Sequence, residues 1–375
     1  MDFDFTPDQL SLREAVARWV EKGFPFDRRH AIARAGGATR AVYTELAGLG
    51  LAGLAVPEAH GGMGFGAVEA MVVMEELGRG LVNAPYAQAA LIAPAILGAA
   101  PETVQRTWLP HVADGSALVV LAHQEQAARY RLAQVQTRAR EDAGRWRLTG
   151  AKSVVPAGDE ADAFIVPARV ACADTDEAGI GLFLVEKDKL QRRGYPTQDG
   201  ARAAELVLQD SAATLLVAEG FEALEAAVDI GIAAQCAEAV GLMEQLTAIT
   251  VGYMNTRQQF GVAIASFQAL RHRIADVKMQ LELGRSMSYF ATLTLGRERA
   301  QRRRAISQAR VQLGRSMRFV GQQCVQLHGG IAVTDEYLAS HYFKRLTMLE
   351  MNFGDTLHHL GEVSARMQDT AGVFS

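Results

Sequence analysis

The sequence predicts a mostly α-helical protein with a β-domain in its middle, and three observations support this fold class. Hydrophobic residues make up 49% of the chain and charged residues 21%, as in a protein with a buried core. All ten prolines lie between Pro7 and Pro196, so the Ala-, Leu- and Arg-rich tail predicts long helices. Between about residues 118 and 217 the apolar spacing changes to short, alternating or β-branched runs. We therefore expect an N-terminal helical domain over 1–117, a middle β-domain over 118–217 and a C-terminal four-helix bundle over 218–375.

The N-terminal domain is predicted as several short helices. The segment LSLREAVARWVEK follows Pro7 and has apolar residues at helical spacing. A second helix over about 39–49 stops at Gly50, and a third covers 67–77. The stretch LAVPEAHGGMGFG between them is predicted as a glycine-rich loop.

The middle domain is predicted as a small antiparallel barrel or sandwich. Asp, Gly and Ala turns separate its apolar runs, which are LVVLAHQE, RWRLTGAKSVV, DAFIVPARV, GIGLFLVEKD and AELVLQD. Several short strands at this spacing are typical of such a domain.

The C-terminal domain is predicted as a bundle of long helices. Gly261 is expected to close the first of them as a C-cap, and Ser266 to cap the second. The predicted helices cover 221–256, run from Ser266 past Tyr289, cover about 298–327, begin near Asp335, and follow Gly354.

Charge and cysteine content exclude several classes of function. Lys plus Arg is 38 and Asp plus Glu is 42, a net charge of −4, which does not attract nucleic acid or an anionic membrane. Three distant cysteines without a CxxC exclude a disulfide framework and a thiolate zinc site, and favour a reducing cytosol. The start MDFDFTPDQL lacks the features of a signal peptide, and the apolar stretch 87–100 is too short for a membrane helix. We expect a soluble, cytoplasmic protein with neither nucleic-acid nor membrane partners.

Histidine and arginine patterns do not predict a metal or nucleic-acid site. His358 and His359 are adjacent, so on a helix they point in different directions, and no HExxH motif occurs. The run RERAQRRRA (297–305) has no interleaved aromatic residues and contains Glu298, so we interpret it as a solvated helix face. Nucleic-acid binding through this run is the weaker alternative.

The densest motif is YMNTRQQFGVAIASFQALRHRIADVKM (253–279). Arg257 is expected one turn before the helix end at Gly261, Phe260 and Phe267 flank a short loop, and Gln268 opens the next helix. A guanidinium and a carboxamide at such a corner are suited to a phosphate and the edge of a nucleobase. A capped interhelical turn is the alternative interpretation.

A second motif is QLHGG (326–330) at the predicted end of a long helix. Its two glycines permit positive φ angles and the close approach of a ligand to backbone N–H groups. An ordinary helix break is the alternative.

Taken in their order along the chain, these motifs resemble those of the acyl-CoA dehydrogenase family. LAVPEAHGGMGFGAVEAMVVMEELGRG (54–80) is similar to the family's vPeeyGGlG…EelG stretch, RQQFGVAIASFQ (257–268) to its RxxFGxxxxxxQ signature, and QLHGG to its QxxGG motif. The resemblance covers essentially the whole chain. It implies the same three-domain fold, FAD bound at a subunit interface, and oxidation of acyl-CoA thioesters to trans-2-enoyl-CoA, with electrons passed to an electron-transfer flavoprotein.

The resemblance also implies cofactor-binding residues. The pyrophosphate and adenine end of a flavin held mainly by the neighbouring subunit would contact Arg257, Gln259, Phe260 and Gln268. The backbone region of the same flavin would contact Gln326, Gly329 and Gly330. The strand LAHQE would lie along the isoalloxazine ring with His123 and Gln124, and the segment KSVVP (152–156) would pack on the flavin edge with Val155.

The chain departs from the family at the catalytic base. The usual base is a Glu in a YEGT segment, but the segment MNFGDT places Phe353 at that position. Some relatives carry the Glu on the first bundle helix, where this chain has Gly231. Asp355 is the remaining candidate base, and Asp229 matches a family Asp near the CoA chain.

The overall pattern most resembles the small subunits of bacterial two-component acyl-CoA dehydrogenases of the pimeloyl-CoA or steroid side-chain type. One chain of such assemblies often lacks the base. Two functions therefore stay open: an FAD-dependent acyl-CoA dehydrogenase, or a catalytically incomplete partner subunit with a structural role and half of an FAD site. The expected partners are an acyl-CoA, an electron-transfer flavoprotein, and either identical chains in a homotetramer or a larger acyl-CoA dehydrogenase chain in a heterotetramer.

Overall fold

The computed structural model describes residues 4–367, and the chain folds into two compact units. The first, called the helical unit below, contains the chain up to His30, the segment Ala67–Val82 and the chain from Ile232 onward. The second, called the barrel unit, contains Ala31–Gly66 and Asn83–Gly231. The three predicted domain ranges stay predictions.

The order of helices, strands and helices along the chain confirms the predicted fold class. In the described residues the α-helices are α1 Pro7–Gly23, α2 Phe26–Arg34, α3 Arg40–Gly48, α4 Ala67–Arg79, α5 Ala93–Leu97, α6 Glu102–Ala113, α7 Phe221–Thr256, α8 Gln268–Thr294, α9 Arg299–His328, α10 Leu338–Met351 and α11 Thr356–Ala365. The strands are β1 Val119–Leu121, β2 Arg138–Asp142, β3 Arg145–Pro156, β4 Ala163–Arg169, β5 Ile180–Glu186, β6 Gln191–Pro196, β7 Arg202–Val217, β8 Gln258–Gln259 and β9 Val262–Ala263.

The first helix shows why the local sequence folds as predicted. Thr6 forms a capping box with Gln9: its hydroxyl accepts the Gln9 N–H at 3.3 Å, and the Gln9 carboxamide accepts the Thr6 N–H at 3.0 Å. Val16 and Val20 then lie one turn apart on the buried face. These two bonds give hydrogen-bond acceptors to two backbone N–H groups that have no partner within the helix. α1 therefore begins at Pro7, as the sequence predicts.

Three N-terminal helices were not predicted from the sequence. They are α2, α5 and α6, and a six-residue π-helix, Ala87–Ile92, runs directly into α5. Pro94 is the second residue of α5, directly after the π-helix, and Pro110 lies near the end of α6. A rule that interprets every proline as a helix break therefore fails to predict the helices that contain them.

The strands of the barrel unit pair in a closed ring. β4 pairs with β2, β2 with β3, β3 with β7, β7 with β5, and β5 again with β4, while β1 and β6 attach to β4 and β7. The ring agrees with the predicted barrel, but the antiparallel prediction was wrong in part. β1–β4 and β2–β4 are parallel pairings, because β1 reaches β4 by a crossover rather than a hairpin.

The bundle of the helical unit is built around α9, which packs against α8, α10 and α11. α7 crosses α4 closely, since a Cβ at Gly241 would lie 1.9 Å from the Glu75 carbonyl oxygen. Glu75 then accepts a hydrogen bond from Arg285 of α8 at 2.5 Å. The EELGRG motif therefore serves helix packing in this unit.

α7 is the one helix of the described residues that is long and apolar enough to cross a membrane by length and composition. Its most apolar 18-residue window is 89% buried within the protein. Burial on all sides is typical of the core helix of a folded domain, and it explains why α7 lacks a polar face.

Two predicted helix caps at the start of the bundle were wrong. α7 ends at Thr256 rather than at Gly261, and the next residues form the β8–β9 hairpin. Ser266 does not cap α8, because its hydroxyl donates to the Ala263 carbonyl at 2.7 Å and Phe267 occupies the N-cap position. The remaining boundaries lie close to those predicted, with α9 over Arg299–His328 and α10 starting at Leu338.

Candidate functional site

The β8–β9 hairpin presents the first group of predicted cofactor residues. Phe260 and Gly261 form its two-residue turn with φ of 55° and 81°, the backbone of a type I′ turn. Phe260 is 91% exposed and packs edge-to-face on Phe267 with ring centroids 6.2 Å apart. An exposed aromatic residue in the left-handed region is costly, which points to a contact outside this chain.

Polar side chains around this hairpin are available for a ligand. Arg257, Gln259 and Gln268 are all exposed. Within residues 4–367 none of the three has a side-chain hydrogen bond or ion pair. A guanidinium and two carboxamides without partners can bind phosphate oxygens and the polar edge of a base.

The end of α9 lies at the same end of the bundle as the hairpin. An apolar cluster of Met254, Ile264 and Leu327 joins the end of α7, the hairpin and the end of α9. Gln326, Gly329 and Gly330 at this end of α9 are exposed. The structure therefore brings together the seven cofactor residues predicted in the bundle.

The glycine pair after α9 leaves open space beside its backbone. Gly329 has φ of 68°, and a Cβ at either Gly329 or Gly330 would meet no atom within 4 Å. The backbone there has room for a ligand approaching within contact distance, which a side chain would obstruct.

The loop between α10 and α11 holds the position where the family base is expected. Phe353 is half-buried and has φ of 54°, and Gly354 follows it. Arg310 of α9 is buried at 1% exposure and donates hydrogen bonds to the carbonyls of Leu349, Asn352 (2.8 Å) and Gly354 (3.3 Å). This buried guanidinium therefore fixes the backbone of the loop.

His359 also anchors this loop. Its Nε2 donates to the Phe353 carbonyl at 3.1 Å, and its Nδ1 lies 3.4 Å from the Ser307 hydroxyl. Burial, the Arg310 charge and the neighbouring His358 lower the pKa of His359 to about 2. The imidazole is therefore neutral, and the aromatic side chain of Phe353 provides no group that can accept a proton.

Asp355 serves as the N-cap of α11. Its carboxylate accepts the backbone N–H of His358 at 2.8 Å, as a capping aspartate does. Sequence reasoning missed a second carboxylate in this region: Glu350 accepts the Thr356 N–H at 3.1 Å and its hydroxyl at 2.8 Å. Both acids therefore have structural hydrogen bonds, and Asp355 as a base stays a prediction.

Asp355 and the hairpin residues lie at different heights of the bundle. The loop containing Asp355 contacts α9 at Arg310, whereas the glycine pair follows the end of α9 at His328. At 1.5 Å per residue this separation is roughly 27 Å along the helix axis. The structure does not bring these two groups together within one chain.

The barrel unit contains the remaining predicted flavin residues. His123 and Gln124 follow β1, and the Gln124 carbonyl accepts the Ser153 N–H of β3 at 2.8 Å. Val155 is buried, whereas Val154 is 41% exposed with φ of 52°. Sequence reasoning missed the buried ion pair beside them, in which Lys152 lies 2.6 Å from Glu125.

Asp229, the predicted substrate residue, lies in the part of α7 that belongs to the barrel unit. Its side chain is fully buried. Its predicted contact with CoA stays a prediction.

The basic run 297–305 is only partly the predicted solvated face. Arg303 is buried at 7% exposure, and Arg302 and Arg304 are half-buried. The first turns of α9 therefore pack against the protein, because successive residues of a helix point to different sides.

One side-chain group in the described residues has the geometry of a metal site, but its atoms have other partners. His30, Asp335 and His341 bring their ligand atoms within 4.8 Å of one another. The Nδ1 of His341 accepts from Arg29 at 2.6 Å, and its Nε2 donates to the Asp335 carbonyl at 2.8 Å. Lys344 also lies 2.9 Å from the Asp335 carboxylate. Two cations and two occupied ring nitrogens disfavour a metal ion here.

Comparisons with known proteins agree with this architecture. The family model "Acyl-CoA dehydrogenase, N-terminal domain" matches residues 6–116, and "Acyl-CoA dehydrogenase, C-terminal domain" matches residues 218–368. Probable acyl-CoA dehydrogenase YngJ of Bacillus subtilis (strain 168) is 26% identical over 370 residues, which cover 94% of this chain and 96% of that protein.

Two further relatives are similarly distant. Acyl-CoA dehydrogenase IpdE2 of Mycolicibacterium smegmatis is 29% identical over 337 residues, covering 89% of this chain and 90% of that protein. The solved structure of a variant of the Tcur3481-Tcur3483 steroid ACAD superposes with a TM-score of 0.88 at 28% identity, covering 97% of this chain and 99% of that one.

N-terminal helices, a closed barrel and a C-terminal helical bundle define the fold class of this protein. Both family models together match well over half of the chain. The protein belongs to the acyl-CoA dehydrogenase family.

Proposed function

We propose that this chain is the small subunit of a two-chain, FAD-dependent acyl-CoA dehydrogenase, and that the partner chain supplies the catalytic base. The reaction is the α,β-desaturation of an acyl-CoA thioester, with electrons passed to an electron-transfer flavoprotein in the cytoplasm. The observation that carries the proposal is the loop at Phe353, which Arg310 and His359 hold rigidly although it contains no proton acceptor at the family position.

The residues of the helical unit fit one end of FAD. The Arg257 side chain has no partner within residues 4–367, and the backbone at Gly329 and Gly330 borders open space. The Arg257 guanidinium is the charged donor that a pyrophosphate requires, the open space at the glycine pair gives the ligand room, and the carboxamides of Gln259 and Gln268 add hydrogen bonds for an adenine or ribose. When bound, FAD supplies the acceptor for the hydride that leaves Cβ of the acyl group.

The chain's own residues then have separate tasks. Arg257 neutralises phosphate charge, and the glycine backbone lets the cofactor approach the end of α9. His123 and Gln124 provide the edge of the barrel that faces the ring. Removal of the α-proton requires a carboxylate, and this task falls to the partner chain because Phe353 cannot perform it.

The separation of the hairpin from Asp355 supports a site that is shared between subunits, identical or different. Roughly 27 Å along α9 divides the cofactor residues from the loop of the family base. A chain with this geometry contributes to the site of a neighbour at one end. The steroid enzyme at 28% identity supports the same arrangement, since its name pairs two proteins.

A complete enzyme with Asp355 as base is the second candidate. The observation in its favour is that Asp355 is a half-buried carboxylate two residues after Phe353 in the same fixed loop. Its use as a helix cap counts against it, because a capping carboxylate is held toward backbone N–H groups.

The test is anaerobic titration with a panel of acyl-CoA thioesters. We would compare the purified chain alone with the chain co-expressed with each larger acyl-CoA dehydrogenase of the same organism. Bleaching of the flavin band only in a co-purified pair would support the proposal. The substitution Asp355→Asn keeps a capping oxygen and removes the base, so it should leave that bleaching unchanged.

Full bleaching by the chain alone, abolished by Asp355→Asn, would overturn the proposal and identify the second candidate. Absence of flavin both from the chain alone and from every co-purified pair would overturn both candidates.

A further inference from the structure

We propose that the buried Lys152–Glu125 ion pair is a positioning element, which fixes the His123–Gln124 edge of the barrel unit against β3. The role assigned to this edge rests on the proposed function, because the flavin ring is expected to lie along it. The positioning itself depends only on contacts within the barrel unit, so it can be tested without the cofactor.

The first argument is the place of the pair in the backbone. β1 pairs with β4, but this strand pairing does not extend past the end of β1. The Gln124 carbonyl accepts the Ser153 N–H of β3 at 2.8 Å, so the segment pairs with β3 at this point. Glu125 follows Gln124 and Lys152 precedes Ser153, so the ion pair flanks this hydrogen bond on both strands. Their 2.6 Å contact therefore fixes the segment at the residue where its strand pairing changes.

The second argument is the number of bonds on one carboxylate. Besides Lys152, Glu125 accepts the Gln136 N–H at 2.7 Å, the Thr137 N–H at 3.0 Å and the Thr137 hydroxyl at 2.7 Å. Glu125 thus ties the segment after β1 to β3 and to the residues that lead into β2. A carboxylate with four donors cannot shift without breaking several of them.

The third argument is the irregular strand that the pair supports. β3 changes register against β7 between Lys152 and Val155, and Val154 lies there with φ of 52° and 41% exposure. The Val154 N–H is satisfied by the Glu205 carboxylate at 3.2 Å rather than by a strand partner. A strained, exposed residue needs rigid neighbours, and Lys152 is the buried neighbour on its N-terminal side.

The surroundings of the pair keep the Glu125 carboxyl in its ionised form. Burial would raise the pKa of Glu125, but the Lys152 charge and the hydrogen bonds from Lys152, Thr137 and Gln136 lower it overall. Burial lowers the pKa of Lys152. Burial and the Lys152 charge also lower the pKa of His123 to about 4, so this imidazole is neutral at physiological pH.

Net stability alone is a weak explanation for a buried ion pair. Buried ion pairs often add no net stability over well-packed hydrophobic replacements. Removing one partner, by contrast, leaves an uncompensated buried charge. A geometric role does explain the pair, since ionic hydrogen bonds fix direction and distance in a way that apolar contacts do not.

The test removes both charges together, with Glu125→Gln and Lys152→Met in one variant. We expect a melting temperature near that of the wild type and amide hydrogen exchange at Ser153 and Val154 at least about tenfold faster. We also expect the His123 ring, followed by NMR titration, to titrate at higher pH, because Lys152 no longer opposes its protonation. Where the wild-type protein or its complex binds FAD, the bound flavin spectrum should also shift.

Two further variants keep the test decisive. Glu125→Asp retains the charge but shortens the side chain, so it should give intermediate exchange at Ser153. Lys187→Met removes an exposed ion pair with Asp162 in the same unit and should change neither exchange nor the His123 titration.

Unchanged exchange and an unchanged His123 titration in the double variant would overturn the proposal. Absence of flavin from the wild-type complex would instead count against the proposed function, and exchange and titration would still decide the positioning role.

Discussion

Arg310 shows how one buried side chain can determine the shape of a loop. Its guanidinium reaches from the middle of α9 to three carbonyls between Leu349 and Gly354, all in the connection from α10 to α11. The Leu349 carbonyl also accepts the Asn352 N–H at 3.2 Å, whereas the carbonyls of Asn352 and Gly354 lie beyond the end of α10 and receive their donors from Arg310. The positive φ of Phe353 is maintained by this clamp together with His359.

Replacing Arg310 should therefore destabilise the protein more than its loss of volume suggests. We expect Arg310→Leu to lower the free energy of unfolding by about 3 kcal/mol, because buried carbonyls lose charged donors. The measurement is urea unfolding followed by circular dichroism. The matched control is Arg315→Leu on the exposed face of α9, which should change the free energy by less than about 0.5 kcal/mol. Equal effects of the two variants would show that the clamp contributes nothing.

At the scale of elements, the β8–β9 hairpin combines high exposure with an unfavourable backbone. Phe260 has a large exposed ring and φ of 55°, where Asn or Gly would be relaxed. Within this chain its ring contacts Phe267. Such a residue contributes little to the stability of the isolated chain, which suggests that its value lies in binding.

We predict that Phe260→Asn separates stability from binding. The variant relieves the positive φ and loses one aromatic contact, so the free energy of unfolding should change by less than about 1 kcal/mol. Affinity for FAD, measured by fluorescence quenching in the assembled protein, should fall at least about tenfold. Gly261→Ala is the comparison: it strains the second turn position and should lower stability instead. Unchanged FAD affinity in Phe260→Asn would remove the hairpin from the cofactor site.

Elements with strong local patterns were predictable from the sequence, and those defined by distant partners were not. The α9 boundaries follow from a proline-free helical pattern that ends at Gly329. The hairpin was missed because its turn is Phe-Gly rather than Asn-Gly, so a helix cap was the simpler interpretation of Gly261. The parallel β1–β4 pairing joins segments about 44 residues apart, and no local period indicates such a partner.

In the candidate site, too, residues within sequence motifs were predictable, and contacts between distant residues were not. The resemblance to the family assigned Arg257 and Gln326 to one flavin, and the structure places both at one end of the bundle, where apolar residues beside each motif share a buried cluster. The Lys152–Glu125 pair and the Arg310 clamp join residues 27 and 39–44 positions apart. Charge pairs at such separations leave no periodic trace in the sequence, so only the folded chain shows them.

For the whole molecule, buried histidines predict sensitivity to acid. Burial is the first cause of the lowered pKa at His123, His328, His341, His358 and His359. In the unfolded chain these imidazoles take up protons below about pH 6.5, but in the folded protein they resist protonation. Stability is therefore complete above the unfolded pKa and falls as the pH drops toward the folded values.

His359 gives the clearest single test of this linkage. Its folded pKa of about 2 lies far below the unfolded value, so the wild type should lose about 2 kcal/mol from this residue between about pH 6.5 and 5. His359→Gln keeps a donor for the Phe353 carbonyl and should lose correspondingly less over the same interval. Urea unfolding at pH 7.5 and 5 measures the difference. The exposed His272→Gln variant is the control, and an identical acid response of His359→Gln and wild type would contradict the assignment.

The whole helical unit also leaves one face of α8 apolar and exposed. Met279, Leu283, Phe290 and Leu293 are each 40% to 53% exposed, and their spacing puts them on one side of the helix. A folded chain rarely leaves such a row uncovered, because each buried leucine is worth about 2 kcal/mol. This row is therefore expected to be covered when the chain associates with another subunit.

We predict that Leu283→Glu with Leu293→Glu weakens assembly without unfolding the chain. Both positions are solvent-exposed within the chain, so the melting temperature of the isolated subunit should stay within a few degrees of the wild type. Two charged side chains in a buried subunit contact should raise the dissociation constant by about a hundredfold or more, as measured by sedimentation velocity over a concentration series. Val170→Glu, an equally exposed position in the barrel unit, is the control and should sediment like the wild type. If the double variant also sediments like the wild type, the α8 row is not part of the subunit contact, and association must use another face of the chain.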